Sequence, residues 1–338
     1  MASKPVVAVR ADSSHQIGSG HVTRCLTLAD ELRQRGKDVF FICCELPGNI
    51  STLIENRGYG VLRFEPAPTG QMAAWEYDAQ QTGFILTKQS WWPVWLIVDH
   101  YALDHKWESK IRSWVSKIMV IDDLANRPHD CDLLLDQTFG QDRERYEGLI
   151  SERCQALCGT SYTLLRPEFA QIRNSGSQYD RLDEKPVIHV FFGRMDHANY
   201  TARFARLLLT EFRRVKIKIL VGSGYQGTGE LRELSKDFGG RIRWDQEVTN
   251  VAAHMAECTL AFGAPGMATW ERACLGLPAA YLAVAENQAV ILESLSKKGF
   301  CYYLGSAESI SDQELVYRFG EFLDNMRQLR SIREVCLA

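Results

Sequence analysis

A loop with two glycines separates an apolar run from a helical pattern near the start of the chain. The loop reads Arg10-Ala-Asp-Ser-Ser-His-Gln-Ile-Gly-Ser-Gly-His-Val-Thr-Arg24, directly after the apolar run Pro5 to Val9. The apolar run predicts a strand, Gly18 and Gly20 allow a tight turn, and a helix is expected to begin at His21. Unpaired N–H groups and the positive dipole end of that helix favour an anion near the loop.

Two histidines of this loop, His15 and His21, are candidates for acid–base chemistry. An imidazole at the mouth of a cleft can accept a proton at neutral pH. From spacing alone, catalysis and an ordinary loop role are both open for these side chains. A dinucleotide fingerprint would need a third glycine where Thr23 stands, so the loop argues against an NAD site.

Composition limits the classes of function. The chain has 338 residues, is 46% hydrophobic and carries 39 basic against 42 acidic residues, a net charge of -3. This length and apolar content predict two domains, and the balanced charge argues against nucleic acid or an anionic membrane as partner. The apolar runs are too short to span a bilayer and the start lacks a signal-peptide pattern, so we expect a cytoplasmic protein. The ten cysteines are expected to be reduced, and no structural metal site is predicted.

Strand-like apolar runs alternate with helix-like segments along the chain, which predicts an α/β fold of doubly wound, Rossmann-like sheets. A polar stretch at 171–185 has no apolar periodicity and separates two such series. We therefore expect an N-terminal domain at 1–170, a linker at 171–185 and a C-terminal domain at 186–338. The pattern Ser311 to Arg330 predicts one final helix, which could return to the first domain.

Polar side chains follow two of the predicted strands of the first domain. The continuous apolar run Val94 to Val98 is typical of a buried parallel strand, and Asp99-His-Tyr101 comes directly after it. Ligands of open α/β sheets bind beyond the carboxyl ends of the strands, so this tripeptide and the His21 loop are expected at one edge. The pair Asp122-Asp123 follows another strand, and we interpret it as loop caps in preference to a catalytic pair.

A second strand, glycine turn and helix occurs late in the chain, from Phe262-Gly-Ala-Pro-Gly-Met through Glu271. The helix start offers N–H donors to a phosphate, and Glu271 can accept hydrogen bonds from vicinal hydroxyls such as those of a ribose. A nucleoside diphosphate would satisfy both groups, whereas a plain βα turn remains the alternative. The polar segment Ala285-Glu-Asn-Gln288 is expected at the same sheet edge.

Several motifs together carry a family resemblance. They are Arg10-Ala-Asp-Ser-Ser14, Ile17-Gly-Ser-Gly-His21, Asp99-His-Tyr101, Trp270-Glu-Arg272, Leu275-Gly-Leu-Pro278 and Glu286-Asn-Gln288. In this order the chain resembles the UDP-sugar hydrolases of pseudaminic acid biosynthesis over nearly its whole length. The resemblance implies a GT-B fold, with two Rossmann-like domains facing across a cleft, similar to the peptidoglycan N-acetylglucosaminyltransferase. The later domain would hold UDP.

The resemblance also implies a reaction and a set of site residues. Water would replace UDP at the anomeric carbon with inversion, without metal or cofactor, and His21 would be the base. The implied partner is the small UDP-sugar alone, and we expect a monomer. The implied catalytic residues are His21, Tyr101 and Asn287. The implied substrate-binding residues are Asp12, Gln16, Gly20, Arg24, Gly193, Gly266, Glu271 and Gln288.

The sequence departs from the family pattern at two turns on the nucleotide side. Arg194 stands where a second glycine is usual, and Pro265 and Met267 replace a glycine and a small hydroxyl residue. A proline removes a backbone donor, whereas Arg194 could supply charge to the diphosphate. A GT-B glycosyltransferase and a UDP-sugar-binding protein of altered substrate or weak activity are therefore the alternatives. An oxidoreductase fits least, because both glycine turns lack the dinucleotide pattern.

Overall fold

Residues 4–68, 72–176 and 181–338 are described in the structure, which is a computed structural model. The chain divides into two compact units, Met1–Leu164 and Leu165–Ala338. Each has its own parallel sheet with interleaved helices, which confirms the predicted α/β class. Part of the expected linker at 171–185 lies outside the described residues, so the linker stays a prediction.

The first unit contains a seven-stranded parallel sheet of order β3-β2-β1-β4-β5-β6-β7. The order reverses between β1 and β4, where a crevice at the carboxyl ends of the strands is the usual ligand site. The strands are β1 (Val6–Ala11), β2 (Asp38–Cys44), β3 (Gly60–Phe64), β4 (Pro93–Asp99), β5 (Ile118–Ile121), β6 (Leu133–Asp136) and β7 (Gln155–Cys158). The helices are α1 (Gly20–Gln34), α2 (Ser51–Asn56), α3 (Ala74–Thr87) and α4 (His105–Ile111).

The second unit repeats this winding with a six-stranded parallel sheet of order β10-β9-β8-β11-β12-β13, which reverses between β8 and β11. Its strands are β8 (Val187–Phe191), β9 (Lys216–Val221), β10 (Ile242–Gln246), β11 (Leu260–Gly263), β12 (Ala279–Ala283) and β13 (Tyr302–Ser306). Its helices are α5 (Pro167–Asn174), α6 (Tyr200–Glu211), α7 (Thr228–Phe238), α8 (Val251–Ala256), α9 (Met267–Cys274), α10 (Glu286–Lys297), α11 (Asp312–Asp324) and α12 (Met326–Leu337).

Each unit buries its own hydrophobic core. In the first unit two apolar clusters form, with Val7 and Val9 of β1 in one and Ala8 of the same strand in the other, as alternation along a strand requires. In the second unit Phe204, Phe262 and Phe319 are fully buried, and their rings meet at centroid distances of 5.9 and 5.2 Å. Burying an aromatic side chain of this size contributes about 2 to 3 kcal/mol. Each sheet is thereby fixed independently within its unit.

The structure corrects the prediction of a single last helix over Ser311 to Arg330. Asn325 has φ -91° and ψ 75°, which ends α11, and its side chain accepts a hydrogen bond from the backbone N–H of Gln328. An asparagine that caps the next helix in this way competes with continuation of the first one. The segment is therefore two helices, α11 and α12, and α12 packs against α9 within the second unit.

Strands β7 and β13 were not predicted, nor were helices α4, α5 and α10. Strand β7 is only four residues long and half-buried, and helix α4 has seven residues, so neither carries a long hydrophobic period. No helix in the described ranges is long and apolar enough to cross a membrane.

Candidate active site

A buried arginine anchors the start of the loop between β1 and α1. Arg10 is fully buried and donates to both oxygens of Asp12, at 2.5 and 2.8 Å, and to the carboxylate of Asp78. Asp12 also accepts from the backbone N–H of Cys44 at 2.8 Å and lies 3.3 Å from Nε2 of His100. Burial alone would raise the pKa of Asp12, but Arg10 and His100 hold it well below its usual range. Asp12 therefore supports the loop from inside the unit.

The loop then turns tightly and enters helix α1. The backbone N–H groups of Gln16 and Ile17 donate to Oγ of Ser14, and the N–H of Gly18 donates to the Ser14 carbonyl at 2.8 Å. Gly18 has φ +78°, a conformation that favours glycine, whereas Gly20 is the first helical residue and needs no such freedom. A Cβ added at either glycine would meet nothing within 4 Å. The Gln16 side chain is exposed, so the surface here is open to a ligand.

His21 and Asp99 form a buried hydrogen-bonded pair at the carboxyl edge of the first sheet. Nδ1 of His21 lies 2.6 Å from Oδ1 of Asp99, and the two residues are 7% and 0% exposed. Burial alone would raise the pKa of Asp99, but the Arg24 guanidinium and His21 hold it well below its usual range. Because Asp99 is ionised, Nδ1 of His21 is the donor, and Nε2 is the nitrogen that can accept a proton.

Arg24 fixes the orientation of Asp99. Its Nε donates to Oδ2 of Asp99 and its Nη2 donates to Oδ1, both at 2.6 Å. Its Nη1 donates to Oδ2 of Asp123 at 2.9 Å, and the Arg24 side chain is only 5% exposed. A fork of this kind is among the stronger and more directional ion pairs in proteins. The geometry places Arg24 behind the histidine pair, where it holds a carboxylate.

Tyr101 packs against His21, the candidate base. Its ring meets the His21 ring edge to face, with centroids 4.5 Å apart, and Tyr101 is 41% exposed. Burial of part of the side chain and the neighbouring Asp123 carboxylate raise the pKa of the Tyr101 phenol. Tyr101 is therefore a neutral hydroxyl at neutral pH, beside the imidazole and partly open to solvent.

The two neighbouring carboxylates, Asp122 and Asp123, have different roles. Oδ2 of Asp122 accepts from the backbone N–H of Ala125 at 2.8 Å, and its Oδ1 accepts from Arg127 at 2.8 Å, so Asp122 caps its loop as expected. Asp123 instead pairs with Arg24 and lies beside Tyr101. The expectation that both carboxylates are loop caps is therefore wrong for Asp123, because the turn directs it to the buried arginine.

Two glycine turns stand at the carboxyl edge of the second sheet. Gly193 follows β8 with φ +107°, and Gly266 precedes α9 with φ +123°. A Cβ added at either position would meet nothing within 4 Å, so both turns leave open space above the backbone. The turn at Gly266 stands directly before a helix, which suits the close approach of a phosphate, and the turn at Gly193 leaves room for one.

The turn after β11 is locked by a close backbone contact. A Cβ at Gly263 would lie 1.9 Å from the Phe191 carbonyl oxygen, so only glycine fits there. Arg272 is fully buried, and its two Nη atoms donate to the carbonyls of Phe191 at 3.2 Å and Ala264 at 3.4 Å. Arg272 thereby ties the ends of β8 and β11 together beneath the turn.

The unusual Arg194 is paired in this structure. Its Nη2 donates to Oε1 of Glu247 at 2.5 Å, and the two side chains are 31% and 45% exposed. A partly exposed pair of this kind contributes little to stability and can be exchanged for another anion. The contact with Glu247 therefore does not prevent Arg194 from donating to an added phosphate.

Glu271 lies in α9 and is paired with Arg166. Nη2 of Arg166 donates to Oε1 of Glu271 at 2.7 Å. Oε1 of Gln288 accepts from the backbone N–H of Val284 at 2.9 Å, which fixes the turn before α10. Asn287 lies in the first turn of α10, but its side chain is outside the described part of the structure.

The structure thus groups the predicted residues into two sets. In the first unit, His21, Arg24 and Tyr101 cluster at one sheet edge, and Asp12, Gln16 and Gly20 build the adjoining loop. In the second unit, Gly193, Gly266, Glu271 and Gln288 follow the carboxyl ends of β8, β11 and β12. The partners Asp99, Asp123 and Arg166 were not among the predicted site residues. Asp99 stood directly after a buried strand, which was the available signal. Asp123 also followed a strand but was interpreted as a loop cap, and Arg166 had no signal.

Comparison with solved structures identifies the fold class. Acinetobacter baumannii MurG superposes with a TM-score of 0.66, covering 99% of this chain and 94% of MurG, at 13% identity. Arabidopsis thaliana UGT89C1, solved in complex with UDP-L-rhamnose, has a TM-score of 0.65 over 99% of this chain and 95% of that protein, at 14% identity. The chain therefore has the GT-B fold. No protein-family model matches it.

Comparison with curated sequences confirms the family resemblance. The chain is 28% identical over 296 residues to the UDP-2,4-diacetamido-2,4,6-trideoxy-β-L-altropyranose hydrolase of Campylobacter jejuni, covering 87% of this chain and 97% of that enzyme. It is also 23% identical over 296 residues to an uncharacterized protein of Methanocaldococcus jannaschii, covering 86% of this chain. The alignment spans only 58% of the archaeal protein's length.

Proposed function

We propose that this protein hydrolyses UDP-2,4-diacetamido-2,4,6-trideoxy-β-L-altropyranose to UDP and the free sugar. The hydrogen-bonded pair of His21 and Asp99 carries the proposal, because it leaves one imidazole nitrogen able to take a proton from water. The similarity to the Campylobacter jejuni hydrolase along 97% of that enzyme supports the choice of substrate. The proposed role is in pseudaminic acid synthesis, feeding flagellin or surface glycans.

The reaction needs one proton acceptor and one stabilised leaving group. Nε2 of His21 takes a proton from water while the water oxygen bonds to the anomeric carbon. The bond between that carbon and the β-phosphate oxygen breaks, its electron pair leaves with UDP, and the configuration inverts. Asp99 stabilises the imidazolium that forms, much as a buried carboxylate orients a catalytic histidine in hydrolases.

The nucleotide is assigned to the second unit. The open turns at Gly193 and Gly266 would admit the diphosphate to backbone N–H groups, and Glu271 would accept hydrogen bonds from the ribose. Donors at these turns would stabilise the developing charge on UDP, a good leaving group, so the proposed reaction uses neither metal nor cofactor. Tyr101, Gln288 and Asn287 are proposed to contact the sugar. We propose a monomer that works in the cytoplasm.

Sugar transfer to an organic acceptor is the second candidate. The structural neighbours MurG and UGT89C1 share the fold, and UGT89C1 was solved with a UDP-sugar. A transferase and a hydrolase would use the same base and nucleotide turns and differ in whether a hydroxyl or water attacks. The fate of the sugar separates the two candidates.

The test is a phosphorus and proton NMR time course with the UDP-diacetamido-trideoxy-altrose in oxygen-18 water, without added metal. We expect equal amounts of UDP and free sugar, with the label in the sugar and an inverted anomeric signal at early times. Because His21→Ala removes the base, we expect its rate to fall at least about 100-fold. His105→Ala is the matched control, since His105 lies on α4 with its side chain 43% exposed.

Two outcomes would count against the proposal. Label in UDP instead of the sugar would mean attack at phosphorus, and an unchanged rate in His21→Ala would remove the proposed base. Turnover that begins only when an acceptor sugar or alcohol is added would favour the transferase.

A further inference from the structure

Arg166 reaches the candidate nucleotide site from a different helix. It is the residue before α5, and packing of α5 on α9 brings it to Glu271, 105 positions later in the chain. Nη2 of Arg166 donates to Oε1 of Glu271 at 2.7 Å, and the two side chains are 17% and 13% exposed. A charge-assisted contact with this little exposure is stronger than a surface ion pair.

The guanidinium of Arg166 is itself held in place. Its Nη1 lies 3.4 Å from Oε1 of Glu168, and its central carbon lies 5.2 Å from the centre of the buried Phe169 ring. Pro167 fixes the first helical position, so the backbone of Arg166 enters the helix extended, with φ -63° and ψ 143°. Arg166 therefore presents a fixed donor to Glu271.

We propose that Arg166 is a positioning residue for nucleotide recognition: it holds the Glu271 carboxylate in the orientation that receives the ribose hydroxyls of a uridine nucleotide. This inference rests on the proposed function. Arg166 occupies Oε1 of Glu271, and within the described part of the chain Oε2 accepts no hydrogen bond from protein. A carboxylate can accept several hydrogen bonds, so Oε2 and the remaining lone pair of Oε1 are available to vicinal hydroxyls.

Removal of Arg166 has a consequence that depends on the ligand. Without the donor, the Glu271 carboxylate rotates among several rotamers, and the ribose must then order it on binding. A nucleotide that lacks the ribose hydroxyls makes no hydrogen bond to the Glu271 carboxylate, so its binding affinity does not depend on Arg166. This difference between ligands separates positioning from general support of the fold.

The experiment measures binding of UDP and of 2′,3′-dideoxy-UDP to the full chain by titration calorimetry. We expect Arg166→Met to weaken UDP binding about 10- to 100-fold, the range of one charge-assisted contact, and dideoxy-UDP binding less than about 3-fold. Arg166→Lys keeps the charge but loses the planar fork, so an intermediate loss for UDP is expected.

Arg173→Met is the matched control on the same helix. Nη2 of Arg173 donates to the Leu337 carbonyl at 2.6 Å, so its loss disturbs α5 without touching Glu271. Its binding of both nucleotides should stay within about 3-fold of wild type.

Equal losses for the two nucleotides in Arg166→Met, or an unchanged affinity for UDP, would overturn this inference but not the proposal that the wild-type protein binds UDP. Failure of folded wild type to bind UDP would overturn both the inference and the nucleotide half of the proposed function.

Discussion

The carboxylate of Asp99 joins His21 and Arg24 through three hydrogen bonds of 2.6 Å each. Oδ1 of the carboxylate sets the tautomer of the imidazole, and the Arg24 guanidinium, which contacts both carboxylate oxygens, keeps the carboxylate ionised in a fully buried position. Asp99 needs Arg24 to hold His21 in a defined orientation, because an unpaired buried carboxylate is costly.

Replacing Asp99 by Asn should leave the shape of the site but remove its charge. The amide can donate to Nδ1 and thereby favour the tautomer whose Nε2 carries the proton. We expect kcat to fall about 100- to 10,000-fold with little change in KM, the range of such changes at a histidine partner. Initial rates of UDP release measure this. Asp237→Asn, an exposed carboxylate paired with Arg206, is the control. A raised KM with unchanged kcat would contradict the role given to Asp99.

Arg24→Lys tests whether Arg24 acts on Asp99 or on substrate. Lysine cannot form the two-pronged contact, so we expect kcat to fall about 10- to 100-fold at constant KM. Because both residues act through His21, the double variant with Asp99→Asn should be no slower than Asp99→Asn by more than about 3-fold. Fully additive losses, with a raised KM, would instead identify Arg24 as a substrate-binding residue.

Two buried histidines of the second unit should make stability depend on pH. Burial and the nearby Arg272 lower the pKa of His189, and burial and Lys218 lower the pKa of His254 to about 4. As pH falls below 6.5, these histidines bind protons in the unfolded chain but stay neutral in the folded protein. Falling pH therefore favours the unfolded state and lowers the free energy of unfolding. We expect His254 to reduce the free energy of unfolding by about 1 kcal/mol per pH unit between pH 6 and 5, and His189 to act in the same direction.

Urea unfolding at several pH values measures this dependence. His254→Gln should lower the slope between pH 6 and 5 by about 1 kcal/mol per pH unit, because one titrating group is lost. A wild-type stability that is constant over this range, or a variant with the wild-type slope, would contradict the explanation.

Gly263→Ala should destabilise the second unit. The residue has φ +152°, and the added Cβ would collide with the Phe191 carbonyl oxygen, so the strand ends must separate. We expect a loss of about 2 to 4 kcal/mol in the free energy of unfolding. Gly229→Ala is the control, since position 229 is helical and open and should gain up to about 1 kcal/mol. Equal stabilities of the two variants would contradict the steric argument.

The sequence predicted the winding well because parallel strands buried on both faces are continuous apolar runs. Val94 to Val98 is such a run, and β4 occupies Pro93–Asp99. Strand β7 was missed because a short, half-buried edge strand has no such signal. The break at Asn325 was missed because asparagine is tolerated inside many helices, and only its contact with Gln328 makes it a cap.

The candidate site could be predicted only where a motif or a strand end exposed it. His21 and Tyr101 were predicted from the resemblance. In the structure their rings are in contact, with centroids 4.5 Å apart. The resemblance implied that Arg24 binds substrate, which stays a prediction. Its contact with the buried Asp99 could not be predicted, because sequence does not encode which side of a helix faces a carboxylate 75 positions away. Arg166 and Glu271 are too far apart in the chain for any local pattern to join them.

The two units have separate hydrophobic cores, which affects how thermal unfolding of this protein should be measured. Six of the eight tryptophans, Trp75, Trp91, Trp92, Trp95, Trp107 and Trp114, belong to the first unit, whereas Trp244 and Trp270 belong to the second. Intrinsic fluorescence will therefore be dominated by loss of the first core, while circular dichroism follows both. If the cores unfold at different temperatures, the two signals will give different midpoints, and a single Tm will describe neither unit.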